Sequence, residues 1–341
     1  MSGLYRPVVI GSLTLPGNLF LAPVAGYSDR VFRSLCIAQG ADFTCTELVS
    51  SEALVRNRSP HDRSSPGDRT NPILRRGDTE TRYAIQLFGA DPAVMYQAAG
   101  LLAPYHPEVV DINCGCPVPK VTKTGAGSAL MRNPATLGRI VEAVVRASKE
   151  GLGEAPVTVK MRSGWDAASI NYRECARIAV EAGAALVSLH ARTKAQGYAG
   201  QSDWSHIADL VSRIAVPVAG SGDLFSPEDA GRMLQETGCA AVMFARGSMG
   251  NPCIFSATRS WLLTGSWMPP EASERLTTGF RHLVLRAADI GERTACREMR
   301  KQFCAYTKGL MGGAALRNRL VHAETIAAYR DILRETAAGI E

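Results

Sequence analysis

Over about the first 260 residues, short apolar runs alternate with longer stretches whose apolar side chains recur at helical spacing. The runs lie at 19–23, 41–46, 83–88, 109–113, 157–161, 186–190, 216–221 and 240–245. They are too short for helices and nearly continuous in their hydrophobicity, as strands covered on both faces are. Between them, 29–39, 92–102, 134–149, 172–182, 204–213 and 227–235 read as amphipathic helices. Asn133-Pro134 and Ser226-Pro227 set a capping residue before a proline at the first helical position. Gly40, Gly151, Gly183 and Gly238 are placed to close helices. Strict alternation predicts a parallel sheet clothed in helices, and eight strands predict its closure as a (β/α)8 TIM barrel, an α/β fold. An open dinucleotide-binding sheet would need G-x-G-x-x-G after its first strand. The chain has Ala22-Pro23-Val24-Ala25-Gly26 there.

Beyond Gly265-Ser266-Trp267-Met268-Pro269-Pro270 the strand signal stops and helical periodicity takes over. Residues 1–264 are therefore expected to form the barrel, and 265–341 a small C-terminal all-helical domain. The connection at 56–81 is polar, arginine-rich and broken by prolines, which predicts a surface excursion. No internal repeat or low-complexity tract interrupts this plan.

Composition narrows the class. No apolar run approaches the roughly 18 residues that cross a bilayer, and Met1-Ser2-Gly3-Leu4-Tyr5-Arg6 lacks the apolar core of a secretion signal. Nine cysteines, an odd number, predict reduced thiols in a cytoplasmic protein rather than a disulfide framework. The formal charge of +6 is concentrated: from 293 to 319 stand Arg293, Arg297, Arg300, Lys301, Lys308, Arg317 and Arg319 against Glu298, so this stretch carries the whole excess. Such a stripe suits a phosphate backbone, although a solvated helical face would look the same by charge alone. The oligomeric state is not legible; a monomer is compatible with everything above.

Chemistry gathers at the C-terminal ends of the strands, where barrels of this kind build their sites. Glu47, Gln86, Asn113, Lys160 and His190 fall there, followed by Gly220-Ser221-Gly222-Asp223 and Ala245-Arg246-Gly247. One such residue is ordinarily a satisfied rim group, but this many in register predicts a bound polar ligand. Glycines after the last two strands, with Arg246, have the form of a phosphate cradle. Lys160 and Gln86 would suit the other end of a flavin mononucleotide (FMN), where a cation stabilises the anionic reduced ring and an amide meets its polar edge. In Asp111-Ile112-Asn113-Cys114-Gly115-Cys116-Pro117 a thiol sits where the fourth strand turns into a loop. No cysteine or histidine pair at zinc spacing accompanies the C-x-C, so no metal is expected. A thiol, protonated near neutral pH, can act as a general acid. Cys36, Cys175 and Cys239 read as small buried core thiols.

These segments identify a family resemblance. Ala22-Pro23-Val24-Ala25-Gly26-Tyr27-Ser28-Asp29, Gln86-Leu87-Phe88-Gly89, the run 111–130, Val157-Thr158-Val159-Lys160-Met161-Arg162-Ser163-Gly164-Trp165, His190-Ala191-Arg192-Thr193 with Gln196-Gly197-Tyr198, and Gly247-Ser248-Met249-Gly250-Asn251-Pro252 occur in the order found in the tRNA-dihydrouridine synthases. The chain resembles that family, its bacterial branch in particular, from about Leu15 to about Arg319. The resemblance implies an FMN barrel with a helical tRNA-binding domain, using NADPH as reductant to saturate the 5,6 double bond of particular uridines in tRNA. Hydride would go from reduced FMN to C6 and a proton from Cys116 to C5. Carried over by position, Pro23, Val24, Ala25, Gln86, Lys160 and His190 would line the flavin. Ser221, Gly222, Asp223, Ala245 and Arg246 would hold its phosphate, and Asn113 and Arg192 would face the target base or its backbone.

Arg297, Arg300, Lys301 and Lys308 then become the RNA-facing stripe. Three positions depart from the family pattern: Ser221 stands for Asn, Ala245 for Gly and Cys114 for Met. Residues two apart in an extended segment point the same way, which leaves Cys114 as a second possible acid. Two rival readings remain at this point. One is an FMN barrel acting on a free small molecule, as dihydroorotate dehydrogenase or the old yellow enzymes do. The other is an RNA-binding protein with a vestigial flavin site.

Overall fold

The computed structural model describes residues 3–57 and 70–338. Two short strands, β1 (Val8–Ile10) and β2 (Leu13–Leu15), form an antiparallel hairpin. The barrel follows with β3 (Leu19–Leu21), β4 (Phe43–Ser50), β5 (Tyr83–Phe88), β6 (Val109–Cys114), β7 (Val157–Gly164), β8 (Leu186–Thr193), β9 (Val218–Ser221) and β10 (Ala241–Phe244). Each pairs in parallel with the next and β10 closes on β3, so the eight expected strands make the expected closed barrel.

Every barrel strand is followed by helix. α1 (Arg30–Ala38) comes after β3, and α2 (Ser51–Arg56) and α3 (Thr70–Leu74) after β4. α4 (Pro92–Gly100) comes after β5, then α5 (Pro119–Thr122) and α6 (Pro134–Gly151) after β6. α7 (Tyr172–Glu181), α8 (Ser205–Val211), α9 (Pro227–Thr237) and α10 (Ile254–Thr264) complete the ring. Residues 58–69 of the connection expected on the surface lie outside the described residues. The caps work as the sequence suggests: Asn133 accepts from Thr136 N, and Ser226 and Asp229 form a reciprocal capping box on α9. Gly151 is a correction. It does not stop α6, which runs through it to a cap at Leu152.

Alternation along the strands sorts the side chains into two layers. Ile85, Ile112, Cys114, Val159, Met161 and Leu189 face the helices. Phe20, Phe43, Cys45, Ala84, Val109, Leu186, Ala219 and Met243 fill the barrel. The hairpin, which the sequence did not suggest, plugs the barrel's N-terminal end. Val8, Ile10 and Leu15 join the inner layer with 3%, 1% and 0% of their surface exposed. Burying three such side chains contributes roughly 5–8 kcal/mol as an upper bound.

α11 (Ala272–Ile290), α12 (Glu292–Tyr306), α13 (Gly313–Leu320) and α14 (Ile326–Ala338) pack around a core of their own, built on Leu283, Met299, Phe303, Tyr306, Leu320 and Tyr329. α11 lies against α1. Arg30 Nε meets Asp289 Oδ1 at 2.8 Å, and His282 stacks on Phe32 with its Nε2 3.6 Å from Asp29 Oδ2. No described helix is long and apolar enough to cross a membrane.

Candidate active site

At the C-terminal end of the barrel is a cavity of about 420 Å³, within the usual range for small-molecule sites. Strand parity explains its lining. Positions 86, 113, 160, 190 and 221 continue the inward-facing series beyond the packed core, so Gln86, Asn113, Lys160, His190 and Ser221 surface together in its wall. Pro23, Val24 and Ala25 enter from the loop after β3, Gly222 and Asp223 from the loop after β9, and Ala245 and Arg246 from the end of β10. Cys116 reaches in from the turn after β6.

That turn separates the two thiols. Cys114 is the last residue of β6, points into the outer layer and has no exposed surface. Strict alternation would send Cys116 the same way. Instead the Asn113 side chain accepts from Gly115 N (3.2 Å) and Cys116 N (2.9 Å), which bends the chain out of the strand. Arg162 Nε holds the Gly115 carbonyl at 2.9 Å from the far side. Cys116 turns into the cavity and Cys114 does not, contrary to the expectation that both would point one way.

At the other end, Gly222 has φ +116°, and a Cβ there would collide with Ser202 Oγ and His190. Only glycine fits this close passage. Asp223, itself left-handed at φ 56°, pairs with Arg246 at 3.1 Å and Arg192 at 2.7 Å. The Arg246 guanidinium lies 4.3 Å from the Tyr198 ring centre and 5.2 Å from that of Phe225. Ser221 gives its hydroxyl to Met243 O at 2.9 Å.

The electrostatics are those of a cationic pocket in a poor solvent. Burial, reinforced by the Arg162 cation, brings Lys160 down to about 8. Burial and the surrounding Lys160, Arg162, Arg192 and Arg246 charges bring His190 down to about 2, so its imidazole is neutral at ordinary pH. Burial pushes the Cys116 thiol up, against the opposing pull of Arg162 and Lys160, and keeps it protonated. Among the described residues, Lys160 Nζ has no ion-pair partner.

Some expected site residues lie elsewhere. Arg192 does not line the cavity: its side chain is 1% exposed and engages Gly200 O and Asp223. Lys301, exposed on α12, lies 5.4 Å from the Tyr27 ring centre, beside the cavity-lining loop. Arg297 is exposed on the same helix, while Arg300 is half-buried. Lys308 falls outside α12, which ends at Tyr306; the Thr307 hydroxyl turns back to Phe303 O, and Gly309 follows in the left-handed region. Arg162, Tyr198, Tyr27 and Leu48 line the cavity without having been singled out. Parity along β7 would have found Arg162, two residues past Lys160.

Fold and cavity together define a (β/α)8 barrel with a cationic, thiol-bearing pocket at its C-terminal mouth. The sequence model described as Dihydrouridine synthase (Dus) matches residues 20–338, and the chain belongs to that family. It is 49% identical over 342 residues to a "Probable tRNA-dihydrouridine synthase" of Treponema pallidum, covering 99% of this chain and 98% of that protein. Among solved structures, a variant of NCR from Zymomonas mobilis aligns with TM-score 0.53 at 16% identity, over 81% of this chain and 96% of the other. Histamine dehydrogenase from Rhizobium sp. 4-9 aligns with TM-score 0.59 at 16% identity, over 77% of this chain and 48% of that larger one. These two likenesses concern the fold.

Proposed function

We propose that the protein is a tRNA-dihydrouridine synthase, an FMN- and NADPH-dependent oxidoreductase that reduces the 5,6 double bond of particular uridines in cytoplasmic tRNA. The observation that carries the reading is the meeting of the Cys116 thiol and the Lys160 side chain in one cavity. The residues present fit FMN. Lys160 and Gln86 offer a cation and an amide to the polar edge of the ring, and Pro23, Val24 and Ala25 an apolar wall. Ser221, Gly222, Asp223, Ala245 and Arg246 gather at the other end of the cavity, where Arg246 would meet the FMN phosphate. When bound there, FMN would supply the hydride for uracil C6, with NADPH as the source of its electrons.

Cys116 Sγ gives the proton to C5, its S–H bond breaking as the C–H bond forms, and the thiolate recovers a proton from solvent. Lys160 and Arg162 stabilise the sulfur's charge meanwhile. His190, held neutral, adds no further cation. Asn113 lines the cavity, and the N–H of its side chain not given to Gln86 would meet the base. Residues 1–264 then form the catalytic domain, and 265–341 bind tRNA through Arg297, Arg300, Lys301 and Lys308. Burial of the uridine at this depth requires it to be flipped out of the RNA.

The test is direct. The purified protein should carry, or take up, FMN and install dihydrouridine in tRNA from a deletion strain, mapped by mass spectrometry. A protein that neither takes up FMN nor alters that tRNA sinks the proposal.

A further inference from the structure

Two amides link a carboxylate inside the barrel to the turn that carries Cys116. Asp111, Gln86 and Asn113 are all buried. Gln86 Nε2 donates to Asp111 Oδ2 at 2.6 Å, and Asn113 Nδ2 donates to Gln86 Oε1 at 2.8 Å. Asn113 Oδ1 then accepts the backbone N–H groups of Cys116 and Gly115 at 2.9 and 3.2 Å. The other Asp111 oxygen accepts the Thr158 hydroxyl.

The direction of this chain is fixed at both ends. A carboxylate only accepts, and a backbone N–H only donates. Each amide is therefore left with one orientation. Turning Gln86 over would set its oxygen against the carboxylate; turning Asn113 over would set its NH2 against two N–H groups. Burial pushes Asp111 up to about 6, so near neutral pH the acceptor-only carboxylate still predominates. Nothing in the chemistry proposed for the cavity uses Asp111 directly.

We propose that Asp111 is a positioning residue: by orienting the Gln86 and Asn113 amides it fixes the turn at Gly115 that delivers the Cys116 thiol into the cavity. The consequence for catalysis rests on the reading of Cys116 as the acid, but the structural relay stands without it.

Reversing the relay tests it. Asn113→Asp alone puts a carboxylate at each side of Gln86, whose single NH2 can satisfy only one. Adding Asp111→Asn restores a complete chain in the opposite sense. Asn at 111 accepts from Thr158 and donates to Gln86 Oε1, and Gln86 donates to the new carboxylate at 113, which still accepts both backbone N–H groups. Two readouts on FMN-free protein report the turn: the melting temperature, and the iodoacetamide labelling rate of Cys116 by peptide mass spectrometry.

Asn113→Asp should lower the melting temperature and change Cys116 labelling about tenfold, as expected for one unsatisfied buried group. Asp111→Asn alone should change labelling by no more than about threefold, since its amide can still present oxygen to Gln86 and nitrogen to Thr158. The double variant should return to within about threefold of the parent. If Asn113→Asp fails to fold, a folded double variant is the rescue. A double variant no better than Asn113→Asp, or an Asn113→Asp protein indistinguishable from the parent, overturns the relay. Dihydrouridine formation is assayed separately: a parent protein that labels normally but reduces no uridine defeats the functional reading and leaves the relay to the labelling data.

Discussion

Asp223 holds Arg246 at the edge of the cavity through a 3.1 Å ion pair, while its other oxygen is taken by the buried Arg192. Arg246 is thus steadied from below by a carboxylate and flanked by Tyr198 and Phe225. Arg246→Ala should weaken FMN binding by roughly 10–100-fold, the worth of a charge-assisted hydrogen bond, with little change in melting temperature. Fluorescence titration of FMN measures it. Asp223→Ala should do something different. It strands Arg192 without its carboxylate and should cost about 2–3 kcal/mol of stability, less than for a fully buried pair because Asp223 is partly open to water. Equal effects of the two substitutions on stability would contradict this division of labour.

The two thiols give a sharp pair of outcomes. Cys116→Ala should retain FMN and slow dihydrouridine formation by about 10²–10⁴-fold, the range for losing a general acid. Cys114→Ala should leave the reaction near its parent rate and cost about 1 kcal/mol of stability for the small void in the outer layer. Denaturant melts and single-turnover assays on the two proteins separate the roles.

Lys160 should trade stability for function. Its folded pKa of about 8 lies below the ordinary 10.5, so the fold disfavours its charged form. That penalty is fully present below about pH 8, fades as pH rises from 8 toward 10.5, and is absent above. Lys160→Met should therefore melt higher than the parent at pH 7 without FMN, the gap narrowing through that window, while uridine reduction falls. A variant that melts lower at pH 7 would mean that the ammonium is better compensated than its surroundings indicate.

For the RNA, affinity should fall linearly with salt on logarithmic axes. Lys301→Ala should reduce the slope by roughly 0.7–0.9 if the ammonium meets one phosphate. Arg300→Ala should act partly through the fold, because that side chain is half-buried with its Nε unpartnered. Filter binding across a salt series distinguishes them.

The barrel was legible because its strands are buried on both sides and its helices carry their own caps; all eight apolar runs fall on strands. The hairpin of β1 and β2 escaped notice because three-residue strands leave too short a pattern to read. Within the site, position at the C-terminal ends of the strands picked out Gln86, Asn113, Lys160 and His190. It could not say which thiol enters, since that depends on an Asn113 side chain replacing the ladder with a turn. Arg162 was passed over because the apolar run that marked β7 stops at Met161, one residue short of it, although the inward series continues to Arg162. Arg192 was carried over from the family resemblance alone, and nothing local in the sequence showed that Asp223 and the Gly200 carbonyl would take up its guanidinium.

Asp29 closes the loop that lines one wall of the cavity, caps α1 through Val31 N and Phe32 N, and faces His282 of α11. The cavity wall and the C-terminal helices are therefore bolted to one plate. An RNA gripped by α12 would be presented to the cavity at a set reach, as a workpiece is held against a fixed stop. Choice among uridines would then be a matter of measured distance along the folded RNA, and a variant that loosened α1 from α11 would blur the choice of position before it slowed the reaction.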